Sequence, residues 1–131
     1  MTERQHFSSG SPWEDRFGYC RAVRVGDRVL VSGTAPVWPD GSCDPDPGAQ
    51  ARRCLEIILT AIGEAGGGRE HVVRTRMFVT DISLWQEFGK AHAEFFAECP
   101  PATSMYEISS LVDPEMLIEI EADAFVGENT D

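Results

Sequence analysis

Residues 117–126 read Leu-Ile-Glu-Ile-Glu-Ala-Asp-Ala-Phe-Val. Along an extended chain Ile118, Ile120, Ala122 and Ala124 fall on one side, and Glu119, Glu121 and Asp123 on the other. A period of two carried by small and branched apolar residues marks a strand covered on one face only. Residues 71–80, His-Val-Val-Arg-Thr-Arg-Met-Phe-Val-Thr, supply a complement. Val73, Thr75, Met77 and Val79 are expected on the covered side, with Arg74, Arg76 and Phe78 opposite. Pairing the two strands puts arginines among carboxylates on one outer face, beside Leu117, Phe125 and Phe78. Such a face is either open to solvent or an oligomer interface with a polar pocket in it, and both readings stand.

Working outward, Gly48 to about Ala65 turns helical: Cys54, Leu55, Ile58, Ala61 and Ile62 recur at three- and four-residue spacing. Gly66-Gly67-Gly68 ends that helix. Asp81 or Ser83 can cap a second one with Trp85, Phe88, Ala91, His92 and Phe95 inward, stopped by Pro100-Pro101. Tyr19–Val25 and Arg28–Gly33 flank Gly26-Asp27 as a hairpin, and Thr103–Ile108 reads as a strand. Pro36–Pro47 reads as a surface loop, and residues 1–18, polar and rich in Ser, Gly and Pro, as a loosely ordered N-terminal arm. The order β-β-α-β-α-β-β predicts an α+β fold, a mixed sheet with two helices on one face.

At 131 residues the chain makes about one domain, large enough for a core without staples. A formal charge of −11 opposes nucleic acid and anionic membrane surfaces, whose partners bind through cations. No apolar run is long enough to span a bilayer, and the N-terminal residues lack a secretory h-region. Cys20, Cys43, Cys54 and Cys99 form no C-x-x-C pair and read as reduced thiols, so a cytoplasmic location is expected. Cys54 sits on the helix stripe as packing.

Several motifs dissolve on inspection. The glycine triplet follows a helix rather than a strand, which suits a cap and not a dinucleotide turn. His92-Ala93-Glu94 has the H-x-E spacing of zinc deaminases without their P-C-x-x-C, so no metal and no cofactor are expected. No G-x-S-x-G elbow supports a serine triad. Ser32-Gly33-Thr34 at a strand end either lines a pocket with a hydroxyl and amides or is a plain turn. Glu119 has two readings. Under a neighbouring subunit it would lose solvent, its pKa would rise, and it could order a water or move a proton. Otherwise it is ion-paired with Arg74 or Arg76.

These segments together resemble the YjgF/RidA family, whose founding members hydrolyse reactive enamines and imines. The resemblance runs from about Gly18 to Val126. It takes in Tyr19 ahead of Val-x-Val-Gly, Val31-Ser32-Gly33-Thr34-Ala35-Pro36, Gln50-Ala51, and Val72 to Asp81. It closes with Phe95-Phe96, Pro101-Ala102-Thr103 and Ile118-Glu119-Ile120-Glu121-Ala122. No piece is specific alone; the order and spacing are.

The resemblance implies a chorismate-mutase-like fold and a homotrimer with small-molecule clefts between subunits. It implies Tyr19, Ser32 and Gly33 at the cleft and Glu119 as the residue that activates or places water. It also implies an arginine after Pro101-Ala102 to clamp a substrate carboxylate, and here that residue is Thr103. A hydroxyl cannot replace a bidentate guanidinium. Gly89 and Met105 likewise stand where the deaminating branch has asparagine and cysteine. The expectation is a trimer hydrolysing an imine, enamine or related C=N compound, poor on 2-imino acids. In it Ser32, Thr103 and Met105 line the site and Arg76 is a candidate relocated cation. The alternative is a non-catalytic, small-molecule-binding or regulatory trimer. An RNA-cleaving role is weaker, because the charge triples in a trimer.

Overall fold

In the computed structural model, which describes residues 3–127, nine α-helices and β-strands follow one another. They are β1 (Arg4–Phe7), α1 (Pro12–Phe17), β2 (Ala22–Val25), β3 (Arg28–Thr34), α2 (Pro47–Glu64), β4 (Val72–Val79), α3 (Trp85–Phe96), β5 (Ala102–Glu107) and β6 (Ile118–Phe125). The strands form one sheet in the order β1-β2-β3-β6-β4-β5. All neighbours run antiparallel except β4 and β5, so the sheet is mixed and the fold α+β as expected.

β6 alternates as its sequence requires. Ile118, Ile120, Ala122 and Ala124 are buried, and Glu119, Glu121 and Asp123 lie on the opposite face. α2 and α3 cover the apolar face with Leu55, Ile58, Ile62, Phe88 and Phe96, all fully buried. Each such side chain contributes about 1.5–3 kcal/mol when removed from water. Asp46 starts α2 by accepting a hydrogen bond from the Ala49 amide at 2.9 Å, with Pro47 next in line. Gly66 ends it at φ +99°, a left-handed turn that a side chain would resist.

Four expectations need correction. Residues 3–18 are not a loose arm: β1 pairs with β2, Ser11 and Pro12 start α1, and Glu14 of α1 is buried. The polar, exposed edge strand carried no apolar alternation to reveal it. The α-helices therefore number three among the described residues, beside two short 3-10 turns. On β4 a register slip between Val72 and Arg74 puts Val72 inside and leaves Val73 exposed, because the bulge spends one extra residue. On α3 Trp85 is exposed and Phe96 takes its place in the core, since Asp81 caps a short 3-10 turn at Ile82–Leu84 ahead of the helix. Leu117 packs against the core rather than on the outer face.

Candidate functional site

Glu119 lies near the middle of the sheet's uncovered face. Across from it β3 carries a second bulge: Val31 pairs with Ala122 and Thr34 with Ile120, so three steps on β3 match two on β6. The extra residue turns Gly33 toward Glu119. A Cβ added to Gly33 would stand 2.9 Å from Glu119 Oε2 and 3.1 Å from its carboxyl carbon. Only a residue without a side chain lets the carboxylate lie over the strand at that distance. Bulges beside reactive groups serve to re-aim backbone and side chains in this way.

Half-buried there, Glu119 has its pKa raised above the ordinary glutamate value. Loss of solvent is the main cause; Arg21 opposes it and Glu121 adds to it. Arg21 is itself buried. Its guanidinium donates to the Gly33 carbonyl at 2.7 Å and to Thr34 Oγ1 at 3.3 Å, and meets Glu14 Oε2 at 3.5 Å. Glu14 keeps a pKa below normal. Burial raises it, and hydrogen bonds from Ser9 and Ser8 together with the charge of Arg21 outweigh that. Neither residue stood out in the sequence. The spacing of Glu14 and Arg21 across a glycine turn gives no periodic signal.

An open concavity of about 530 Å³ adjoins Glu119, lined by Phe78, Ile108, Ser110, Leu111, Val112 and Glu121. Two of its lining residues are acidic and none is basic. Arg76 stands nearby on the same face but is shared between Glu121 Oε1 at 3.6 Å and Asp123 Oδ2 at 3.4 Å. Opposite charges on the sheet's outer face thus pair Arg76 with Glu121 and Asp123. Glu119 instead faces Phe78 across the ladder.

Thr103 and Met105 lie elsewhere. They pair with the inward-facing Thr75 and Met77, so both belong to the helix side of the sheet. Thr103 is nevertheless exposed, because β5 is an edge strand. Its hydroxyl shares a hydrogen bond with Thr75 Oγ1 at 2.7 Å. Within one chain, then, the structure brings Glu119, Gly33 and Arg76 to one face and sets Thr103 and Met105 on the other. Ser32, at the bulge, donates its hydroxyl to the Cys20 carbonyl at 2.7 Å. Tyr19 is exposed, its ring 5.7 Å from the Arg21 guanidinium carbon.

Gln50, in the first turn of α2, was visible only as part of a resemblance. Buried, it donates to the carbonyls of Asp44 and Glu115 and accepts from the Leu117 amide, fastening both loops to the start of β6. Cys54 is buried and its thiol is pushed well up, first by burial and then by Glu119, which suits packing and not nucleophilic work. Among the described residues no three His, Cys, Asp or Glu side chains converge as metal ligands would. No helix among them is long and apolar enough to cross a membrane.

Known proteins resemble this arrangement along most of its length. The family model described as Endoribonuclease L-PSP matches residues 13–126. An uncharacterised protein of Streptomyces coelicolor is 37% identical over 120 residues, covering 91% of this chain and 90% of its own. The crystal structure of Rv2704 from Mycobacterium tuberculosis, described as a member of the YjgF/YER057c/UK114 family, superposes with a TM-score of 0.87 at 47% identity. It covers 95% of this chain and all of the other. The YjgF gene product of Escherichia coli gives 0.78 at 30% identity, over 92% of each chain. Sequence, fold and the alternation of β6 converge on one ancestry, and the chain belongs to the YjgF/RidA family.

Proposed function

We propose that this chain is a hydrolase of small C=N compounds, imines or enamines lacking a carboxylate, acting as a homotrimer with sites between subunits. The observation that carries this reading is the carboxylate of Glu119 laid over the bare backbone of Gly33, half-buried at the edge of an acidic concavity. A carboxylate so held can take a proton from water as the oxygen adds to the imine carbon. It can then return that proton to nitrogen, giving the carbinolamine R₂C(OH)NH₂; relaying the hydroxyl proton to nitrogen in a second transfer lets the C–N bond break, releasing R₂C=O and ammonia.

The charges support the choice of substrate. With Arg76 engaged by two carboxylates and Thr103 neutral, a substrate carboxylate meets repulsion and no fork of donors, whereas a protonated imine meets attraction. A trimer is supported by the face itself. Leu30, Tyr106 and Phe125 are exposed there, and a neighbour's edge strand could bring Thr103 and Met105 to Glu119.

A matched pair of substrates tests this. A flavin amine oxidase releases the imine of phenethylamine; a flavin amino-acid oxidase releases the 2-imino acid of phenylalanine. The protein is expected to speed hydrolysis of the first and scarcely touch the second. Thr103→Arg should raise turnover of the 2-imino acid by at least about tenfold, since charge-assisted bonds contribute about 1.5–3 kcal/mol each. Rapid hydrolysis of the 2-imino acid by the unaltered protein would overturn the substrate assignment. No turnover of either imine, with tight binding of one of them, would favour the binding protein over the enzyme.

Gly33→Ala is a second check on the geometry. The added methyl must push the Glu119 carboxylate aside, and misplacement of about 1 Å costs on the order of 10²-fold in rate. Turnover of the phenethylamine imine is expected to fall by that order, with the melting temperature little changed.

A further inference from the structure

Three carboxylates of β6 meet three side chains of β4 on the sheet's uncovered side. Asp123 stands opposite Arg74, Glu121 opposite Arg76, and Glu119 opposite Phe78. Two rungs of the ladder therefore set an acid against a guanidinium. The third sets an acid against an aromatic ring. Directly opposed residues of an antiparallel pair hold their Cβ atoms about 4.5–5.5 Å apart, and both Phe78 and Glu119 line the same concavity.

Tyr106 extends that row. It sits beside Phe78 on β5, and the two rings stack at 5.9 Å between centroids with 27° between their planes. Since β4 lies between β5 and β6, the ring face turned away from Tyr106 is turned toward Glu119. The face of an aromatic ring carries the negative lobe of its quadrupole. A carboxylate set against it is repelled, and both groups gain when a cation comes between them. The chain's nearby cations are committed elsewhere. Arg76 is held by Glu121 and Asp123, and Arg21 by Glu14 and the Gly33 carbonyl. As packing the rung is poor; as a receptor for positive charge it is good.

We propose that Phe78 is a specificity-determining residue. Its ring face and the Glu119 carboxylate together form a seat for an organic cation, a protonated imine or substituted ammonium group, with Tyr106 fixing the ring. This deepens the hydrolase reading and rests on its choice of the concavity as the site. The remaining apolar wall, Ile108, Leu111 and Val112, suits the carbon skeleton of such a cation and not the water shell of a metal ion.

Choline and 3,3-dimethylbutanol make a matched pair of probes, alike in shape and differing by one positive charge. Calorimetric titration of the full-length protein is expected to show choline binding at least about tenfold tighter than the alcohol. Mono-, di- and trifluorinated phenylalanine, placed in turn at position 78, drain the ring face while keeping its shape. Log Kd for choline should rise stepwise with the number of fluorines, by about three- to tenfold in all, while binding of the alcohol does not follow. A residue that serves only as packing gives no such graded response. Phe78→Leu should lose at least as much choline affinity as the trifluorinated ring, and the melting temperature should stay level along the fluorine series. The kcat/KM for the phenethylamine imine should fall along the same series.

A choline Kd indifferent to the fluorine count removes Phe78 from recognition. Equal affinity for choline and the alcohol, or no binding of choline, does the same. In each of those cases continued hydrolysis of the phenethylamine imine leaves the hydrolase reading standing without the aromatic seat. Choline affinity that tracks the fluorines in a protein that turns over no imine keeps the seat and removes the hydrolase.

Discussion

Replacing Glu119 with glutamine is expected to slow hydrolysis of the phenethylamine imine by about 10²- to 10⁴-fold, the usual worth of a positioned general base. The amide keeps the shape of the side chain over Gly33 and still accepts a hydrogen bond from water. It cannot take the proton. In the parent protein the rate should rise with pH and level off above the raised pKa of Glu119, later than for an ordinary glutamate.

The same shift has a consequence for folding. A carboxyl whose folded pKa lies above its unfolded value destabilises the folded state once ionised. That cost is absent below the ordinary glutamate pKa, grows as pH rises through the folded value, and is constant above it. Glu119→Gln should therefore melt higher than the parent at pH 7 and lose that advantage near pH 4. A gain in stability with a loss of turnover is what a residue kept for chemistry shows. Equal turnover in the two proteins would remove Glu119 from the mechanism.

The path from sequence to structure was clearest where one physical rule governed each residue. β6 shows a strict two-residue alternation and is buried on one face along its whole length, so Ile118 to Ala124 were legible at once. α2 was legible for the same reason, its stripe meeting a single partner surface. The errors came where rules compete. At Val72–Val73 a bulge breaks the alternation that a period-two reading must assume. At Trp85 the 3-10 turn delays the helix and rotates its face.

The site was legible in part. Glu119 stood out as a carboxylate on a strand that could be covered. The bulge that turns Gly33 to meet it leaves no trace in hydropathy, since Ser-Gly also fits a plain turn. Thr103 could be read only against a family pattern, and its tie through Thr75 to His92 joins positions whose spacing implies nothing. Arg21 and Glu14 left no signal at all, being two polar residues joined across a glycine turn in a stretch without apolar periodicity.

Arg21→Met is expected to destabilise the protein by about 3–5 kcal/mol, the usual cost of removing one partner from a buried ion pair. Side-chain exposure is 8% for Arg21 and 3% for Glu14, so neither charge can be recovered by water. Loss of the guanidinium strands the Glu14 carboxylate with only the donors of the Ser8–Ser9 segment, and it leaves the Gly33 carbonyl without its side-chain partner. For a chain of this size the melting temperature should fall by more than about 10 °C. Glu14→Leu combined with Arg21→Met should recover much of that, because replacing a whole buried pair by apolar groups is often neutral. A single variant within about 1 kcal/mol of the parent would show that the pair is not the latch between α1 and the end of β3. The Arg21→Met and double variants should also share a second change. Arg21 holds the pKa of Glu119 down, so without it the carboxylate ionises later and the rate profile moves to higher pH in both proteins. Stability would then separate the two variants while the pH profile joins them, which assigns the fold to the pair and the tuning of Glu119 to the arginine alone.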